Sequence, residues 1–213
     1  MQQENTDASL EALKEIRTIM DRSARFLSLS GWSGIWAGCT ALGGSVLAYR
    51  WMRRPGYQYV MAALENGSIS YFDSFMIRFI LLALFVFAVA FAGGFYFTYR
   101  KASKQQQTLW NAASRQMLLH LLFPLFVGGI FTIAFIYYGC GMFIAPACLA
   151  FYGLALISAS KYTLSDIRYL GILEVALGCT CLFFPGYGLY FWDFGFGLLH
   201  ILYGVIMWNK YDK

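Results

Sequence analysis

Charged residues are scarce in this chain of 213 residues, and that scarcity excludes most soluble folds. They make up 13% of the sequence, whereas an ordinary soluble domain has roughly 25%. Hydrophobic residues make up 59%. The basic residues follow the ends of apolar stretches and form no dense patch, so the sequence predicts no nucleic-acid partner. Motifs for enzymatic chemistry are also missing: there is no HExxH, no phosphate-binding glycine loop and no Ser–His–Asp order.

Long apolar stretches fill most of the chain. A helix rises ~1.5 Å per residue, so about twenty apolar residues match a hydrocarbon core of roughly 30 Å. Six stretches meet this length approximately: 28–49, 76–99, 117–138, 142–160, 169–185 and 189–208. They predict an all-α fold, a polytopic transmembrane bundle of six membrane-spanning helices over residues 28–208 with the lipid bilayer as its partner. Residues 209–213 are predicted to be a short cytoplasmic tail.

The segment before the first span has a different pattern. Over residues 9–27, Leu13, Ile16, Met20 and Leu27 share one helical stripe opposite charged side chains. This predicts an amphipathic helix within a cytoplasmic segment 1–27, lying in the membrane interface. The alternative is that residues 9–27 form a homodimer or bind a membrane or cytoplasmic protein. No cleavable signal peptide is recognisable, so the first span is expected to act as its own anchor.

Basic residues predict the orientation. Twelve of the 16 Lys and Arg residues fall in segments that six spans would place on one side. By the positive-inside rule, both termini are then cytoplasmic. The three arginines at 50, 53 and 54 run against this assignment, because they follow the first span on the opposite side.

Small residues predict where helices approach closely. Gly34 and Gly38 form a GxxxG pair in the first span, which we expect to pack against a neighbouring span rather than form a dimer interface. In the last two spans, small and polar residues alternate at spacings of three and four. The fifth span carries this stripe at Gly171, Glu174, Gly178, Cys181 and Pro185; the sixth carries it at Asp193, Gly197, His200 and Gly204.

These two stripes predict a back-to-back hairpin that turns near residues 186–188. Folding there places Gly178 opposite Gly197, Gly171 opposite Gly204, and Glu174 opposite His200. An isolated carboxylate inside a bilayer costs several kcal/mol, so a Glu–His pair is expected. The pair either locks the packing of the hairpin or serves as a substrate or proton site.

His120 and Asp193 join Glu174 and His200 as candidates for that site. His120 lies near the start of the third span, roughly 7 Å from the depth of His200, which argues against a bis-histidine haem. The five cysteines lack the spacing of a metal site and are interpreted as small packing residues. No cofactor and no metal are predicted.

Two stretches resemble an uncharacterised family of small bacterial multi-pass membrane proteins. They are residues 16–34, IRTIMDRSARFLSLSGWSG, and residues 195–204, GFGLLHILYG. The resemblance implies a six-span protein of the bacterial inner membrane. Because the family has no established activity, it implies no functional residues.

Two hypotheses for function follow. The first is a non-enzymatic binding or regulatory membrane module. The second is a small proton-coupled transporter or channel that uses Glu174 and His200. The second requires a water-accessible cavity that reaches Glu174, and dry packing around that side chain argues against it.

Overall fold

The computed structural model of the protein describes residues 29–54, 74–106 and 110–213, which form helices and no strand. The predicted amphipathic helix over residues 9–27 lies outside these ranges. The first five helices are α1 (Gly31–Met52), α2 (Ser74–Lys104), α3 (Ala112–Tyr137), α4 (Ile144–Ala159) and α5 (Ile167–Cys181). Helix α6 runs over Gly188–Asp212 and includes two π-helical segments, Asp193–Leu199 and Trp208–Asp212.

Four of these helices are long and apolar enough to cross a membrane. They cover Ile77–Lys104, Ala112–Tyr137, Gly141–Ala159 and Gly188–Asp212. Helix α1 has 22 residues but is rich in glycine, which lowers its hydropathy. Helix α5 has 15 residues and spans about 22 Å, which is less than a hydrocarbon core of roughly 30 Å.

The surface of the helices is apolar and aromatic. In the most apolar stretch of α2 no residue is buried inside the protein, although this stretch holds large side chains such as Phe85, Phe87 and Phe91. Helix α3 is similar, with Phe123 72% and Phe126 69% exposed. Soluble proteins rarely expose apolar patches of this extent, whereas lipid covers them without cost.

Helix α1 lies between α2 and α6. Gly93 of α2 receives the indole of Trp36, which donates a hydrogen bond of 3.0 Å to the carbonyl of Val89. On its other side, α1 brings Gly34 against the backbone of Gly204 in α6, where an added Cβ would lie 3.1 Å from the Gly204 Cα. The GxxxG groove of α1 is therefore occupied by a helix of the same chain.

Helix α4 lies between α3 and α5. Gly128 of α3 receives the ring of Phe151, while Gly153 of α4 and Gly171 of α5 each approach the other's carbonyl oxygen. An apolar core forms where α4, the α4–α5 connection, α5 and α6 meet. Its buried members are Leu156, Leu164, Ile167, Leu170 and Met207.

The predicted glycine register of the last hairpin is wrong. Gly178 faces Ala150 and Pro146 of α4, and Gly197 faces Leu42 of α1. The other predicted pair, Gly171 with Gly204, is likewise separated, since each packs on a different helix. Helices α5 and α6 are joined by a turn at Gly186, where φ is 90°, but their small-residue grooves bind other partners.

The six helices alternate in direction. In the α1–α6, α1–α2, α3–α4 and α4–α5 contacts, residue numbers rise on one helix as they fall on the other. Helices α4 and α6 run parallel, because Ala145 meets Gly188 while Tyr152 meets His200. This alternation places the start of α1 and the end of α6 at the same end of the bundle.

Candidate functional site

Three polar side chains from three helices meet in the interior. Tyr152 lies on α4, Glu174 on α5 and His200 on α6, and we call them the buried cluster. Glu174 is 0% exposed and His200 is 6% exposed. The Nδ1 atom of His200 lies 3.4 Å from Glu174 Oε1. The two ionisable residues that sequence reasoning placed opposite each other are therefore neighbours in the fold.

Hydrogen bonds define the histidine tautomer. His200 Nδ1 lies 3.0 Å from the carbonyl oxygen of Gly195, and a carbonyl only accepts, so Nδ1 carries a hydrogen. His200 Nε2 lies 2.8 Å from the hydroxyl of Tyr152. If the imidazole is neutral, Tyr152 donates to Nε2; if it is an imidazolium, Nε2 donates to Tyr152.

The π-helical segment Asp193–Leu199 explains how His200 reaches the Gly195 carbonyl on its own helix. A π-helix widens the turn and re-aims side chains, and such segments are frequent at functional sites. Gly195 itself lies against the carboxylate. A Cβ at this position would be 2.6 Å from Glu174 Oε2 and 2.6 Å from Leu149 Cδ2. Any larger residue at position 195 would force the Glu174 carboxyl group and the Leu149 side chain to shift.

The carboxyl group of Glu174 is poorly satisfied. Neither of its oxygens has a hydrogen-bond partner among the described residues, although both are buried. Such a group costs free energy unless it is protonated or faces a positive charge. His200 is the ionisable residue next to this carboxyl group. A proton shared between them either neutralises the carboxyl group or gives the imidazole ring a positive charge.

The two other predicted site residues lie elsewhere. His120 of α3 stacks on Tyr162, with ring centroids 4.7 Å apart, and has no hydrogen bond to Glu174 or His200. Asp193 precedes His200 by seven residues, about two helical turns. Its Oδ1 atom is buried without a hydrogen-bond partner in the described part of the chain.

Sequence reasoning missed Tyr152 and Gly195. Tyr152 is one of 15 tyrosines, and nothing in its spacing separates it from the tyrosines at membrane interfaces. Gly195 precedes His200 by five residues on the same helix. Positions five apart do not align on a regular α-helix, so this spacing did not predict a contact. The π-helical segment brings them together.

A second polar cluster joins the end of α6 to the start of α1 and the last turn of α2. Asp212 Oδ2 accepts hydrogen bonds of 2.9 Å from the Ser30 hydroxyl and 2.9 Å from the Gly31 backbone N–H, so it caps the start of α1. Lys101 of α2 lies 2.6 Å from Asp212 Oδ1 and donates to the carbonyl of Leu29 at 2.8 Å. We call this group the terminal clasp.

The end of α6 also binds the start of α5. Lys210 donates to Asp166 Oδ2 at 2.6 Å, and the hydroxyl of Tyr211 donates to the same oxygen at 2.8 Å. The hydrogen bond from Lys210 is the main cause that lowers the pKa of Asp166 below its ordinary value. Residues 208–212, predicted to end a span and begin a tail, continue the helix and contact three other helices.

Metal-binding geometry is absent from the described ranges, where no group of three or more His, Cys, Asp or Glu side chains is placed to hold an ion. A cavity of about 390 Å³ lies between α3 and α4, and its lining includes neither Glu174 nor His200. No family model, curated protein or solved structure matches this chain.

Proposed function

We propose that this protein is a six-span, multi-pass protein of the bacterial inner membrane that acts as a non-enzymatic binding or regulatory module. The alternating directions of α1–α6 support six crossings, because consecutive spans must run in opposite directions. The terminal clasp joins residues 30 and 212, which supports a topology with both ends on one side of the membrane. The distribution of basic residues favours the cytoplasm for that side.

The observation that favours a binding or regulatory module over a carrier is the burial of Glu174. Its side chain is 0% exposed in the centre of a packed three-helix junction. A carrier needs water or substrate to reach the ionisable group, and the cavity between α3 and α4 does not include it. The buried cluster instead couples α4, α5 and α6, so that a partner displacing one helix affects the other two.

Proton flux measured in liposomes tests this proposal. The purified protein is reconstituted with an internal pH dye, and a pH gradient with a potassium diffusion potential is imposed. We expect no flux above that of protein-free liposomes. The variant Glu174→Gln should show the same flux and a Tm lower by roughly 2–4 °C, because the amide disturbs the 3.4 Å contact between the carboxyl group and the His200 ring at a cost of about 1 kcal/mol.

The second candidate, proton-coupled transport, has one observation in its favour. Glu174, His200 and Tyr152 form a continuous line of exchangeable groups, and both carboxyl oxygens lack partners in the described residues. This candidate predicts flux in the wild type, loss of flux in Glu174→Gln, and reduced flux in Tyr152→Phe. That set of results would replace the binding or regulatory assignment with a transporter.

Orientation is tested by cysteine labelling in cells. In a background without the five native cysteines, Arg54→Cys should react with a membrane-impermeant maleimide from outside. Lys213→Cys should react only after the inner membrane is permeabilised. Labelling of both positions from the same side would refute the six-span assignment.

The proposed partner surface is the segment 9–27. Deletion of residues 2–27 should leave the bundle folded and remove binding to a second copy or to another membrane or cytoplasmic protein. Native mass spectrometry of full-length and truncated chains measures dimers directly, and pull-down from membranes detects other partners. Unchanged association after deletion would exclude this segment.

A further inference from the structure

A groove opens between α3 and α4 toward the surroundings of the bundle. It encloses about 390 Å³ and is lined by five α3 residues and one α4 residue: Gln116, Leu119, His120, Phe123, Pro124 and Ser158. The α3 residues recur at spacings of three, one, three and one, so they form one helical face. Leu119 is 62% and Phe123 is 72% exposed, and both helices are long and apolar enough to cross a membrane. The groove is thus reached from the lipid.

Polar groups without partners converge in this groove. Within residues 29–54, 74–106 and 110–213, the side chains of Gln116, His120 and Ser158 make no hydrogen bond, although His120 stacks on Tyr162. Pro124 adds a fourth group. Proline has no N–H, so the carbonyl of His120, four residues earlier, loses its usual helical donor. Unpaired polar groups that face lipid are costly, as for the His120 carbonyl one turn further into the helix, and a ligand with a polar head would relieve that cost.

Positive charge lies at the end of the groove where Gln116 and Ser158 are found, and it favours an anionic ligand. Helix α3 begins at Ala112 and α4 ends at Ala159, so Arg115 and Lys161 lie at the same end as Gln116 and Ser158. Both cations are exposed, and neither forms an ion pair with the described residues. Basic residues at a membrane surface attract anionic lipids by about 1 kcal/mol each.

We propose that this groove binds an anionic phospholipid. Its phosphate oxygens accept hydrogen bonds from His120, Gln116 and Ser158 at the end marked by Arg115 and Lys161. One acyl chain lies along the exposed surfaces that Leu119 and Phe123 contribute. The site is separate from the buried cluster and does not depend on its role.

Native mass spectrometry of the full chain tests the proposal. The protein is released from detergent after titration with phosphatidylglycerol, phosphatidylcholine or glycerol phosphate, and retained adducts are counted. We expect one phosphatidylglycerol to bind about tenfold more tightly than phosphatidylcholine, and glycerol phosphate not to be retained. The variant His120→Leu should lose about tenfold in phosphatidylglycerol affinity, which corresponds to one charge-assisted hydrogen bond.

Matched variants keep the test decisive. Thr132→Val on the same helix removes a hydroxyl that bonds to the Gly128 carbonyl, away from the groove, and should bind lipid like the wild type. If His120→Leu does not fold, the exposed substitution Gln116→Leu replaces it and should also weaken binding. Photo-crosslinking in nanodiscs with a diazirine-labelled phosphatidylglycerol should label residues 116–124 or 158. Equal retention of both lipids, retention of glycerol phosphate alone, or unchanged affinity in the groove variants would overturn the proposal.

Discussion

Gly178→Ala tests the helix pairing that the structure reports. A Cβ on Gly178 would lie 2.7 Å from the Ala150 nitrogen and 2.8 Å from the Pro146 oxygen. Both are backbone atoms of α4, so no side-chain rotation relieves the clash. Ordinary van der Waals contacts of a Cβ lie at 3.4–4 Å, so α5 must move away from α4 to accommodate the methyl group.

The expected loss of stability is the difference between two effects. Overpacking of a tight contact costs about 1–3 kcal/mol. Alanine in a helix interior returns up to about 1 kcal/mol relative to glycine. We expect a net loss of about 1–2 kcal/mol, which lowers Tm by roughly 2–8 °C for a chain of this size. Thermal unfolding in one detergent, followed by tryptophan fluorescence, measures the shift.

Two further glycines provide controls for Gly178→Ala. Gly129→Ala on α3 has no atom within 4 Å of the new Cβ, so it should keep or raise Tm. Gly197→Ala meets the side chain of Leu42, which can rotate, so its loss should be smaller than that of Gly178→Ala. If Gly178→Ala unfolds at or above the temperature of the wild type, the α4–α5 contact as described is refuted.

Substitutions at three other positions address single contacts. Trp36→Phe removes the donor to the Val89 carbonyl and should lower stability by about 1 kcal/mol in the same thermal assay, while full stability would show that the bond contributes nothing. Asp212→Asn keeps an acceptor for the cap of α1 but loses the charge facing Lys101, so it should cost about 1 kcal/mol, and Asp212→Ala about 2 kcal/mol; equal losses would contradict separate roles. For Asp166, the lowered pKa means that its ion pair stabilises the fold above the ordinary value of 3.8 and is lost as pH falls through the folded value. The Tm difference between the wild type and Asp166→Asn should therefore shrink below pH 3.8, and a difference that grows there would reverse the assigned sign.

The positions of the helices were predictable because apolar length alone determines them. Each of the six apolar stretches coincides with a helix in the described part of the chain, and most boundaries agree within a few residues. The exceptions lie at polar ends, as where α2 continues to Lys104 and α6 to Asp212. At these ends, helical hydrogen bonding continues beyond the apolar residues. Pro146 lies within the apolar stretch 142–160 but in the first turn of α4, where its missing N–H costs no helical bond.

The partners of the small-residue grooves were not predictable from spacing. A groove of glycines accepts any helix with a complementary surface. Judged by residue spacing alone, the stripes on α5 and α6 could pack on each other as well as on α4 and α1, respectively. The choice depends on the rest of each interface. Ala150 and Pro146 give α4 a flat surface for Gly178, and the backbone of Gly31 and Gly34 gives α1 one for Gly204. These matches involve residues more than 100 positions apart for α1 and α6, and a single sequence does not encode them locally.

The Glu174–His200 pair was predicted correctly although the hairpin around it was not, and side-chain length explains why. Glycine contacts require two backbones to approach within van der Waals distance. One face of a helix can approach only one other helix this closely. The side chains of Glu174 and His200 extend several ångströms from their helices. His200 Nδ1 and Glu174 Oε1 therefore lie 3.4 Å apart although Gly178 of α5 packs against α4 and Gly197 of α6 packs against α1. The pair needs only that both side chains share a depth and a direction, which the short turn at Gly186 provides. Ionisable residues in apolar spans thus predict their partners over a wider range of packing than small residues do, because the cost of leaving them unpaired does not depend on which backbones touch.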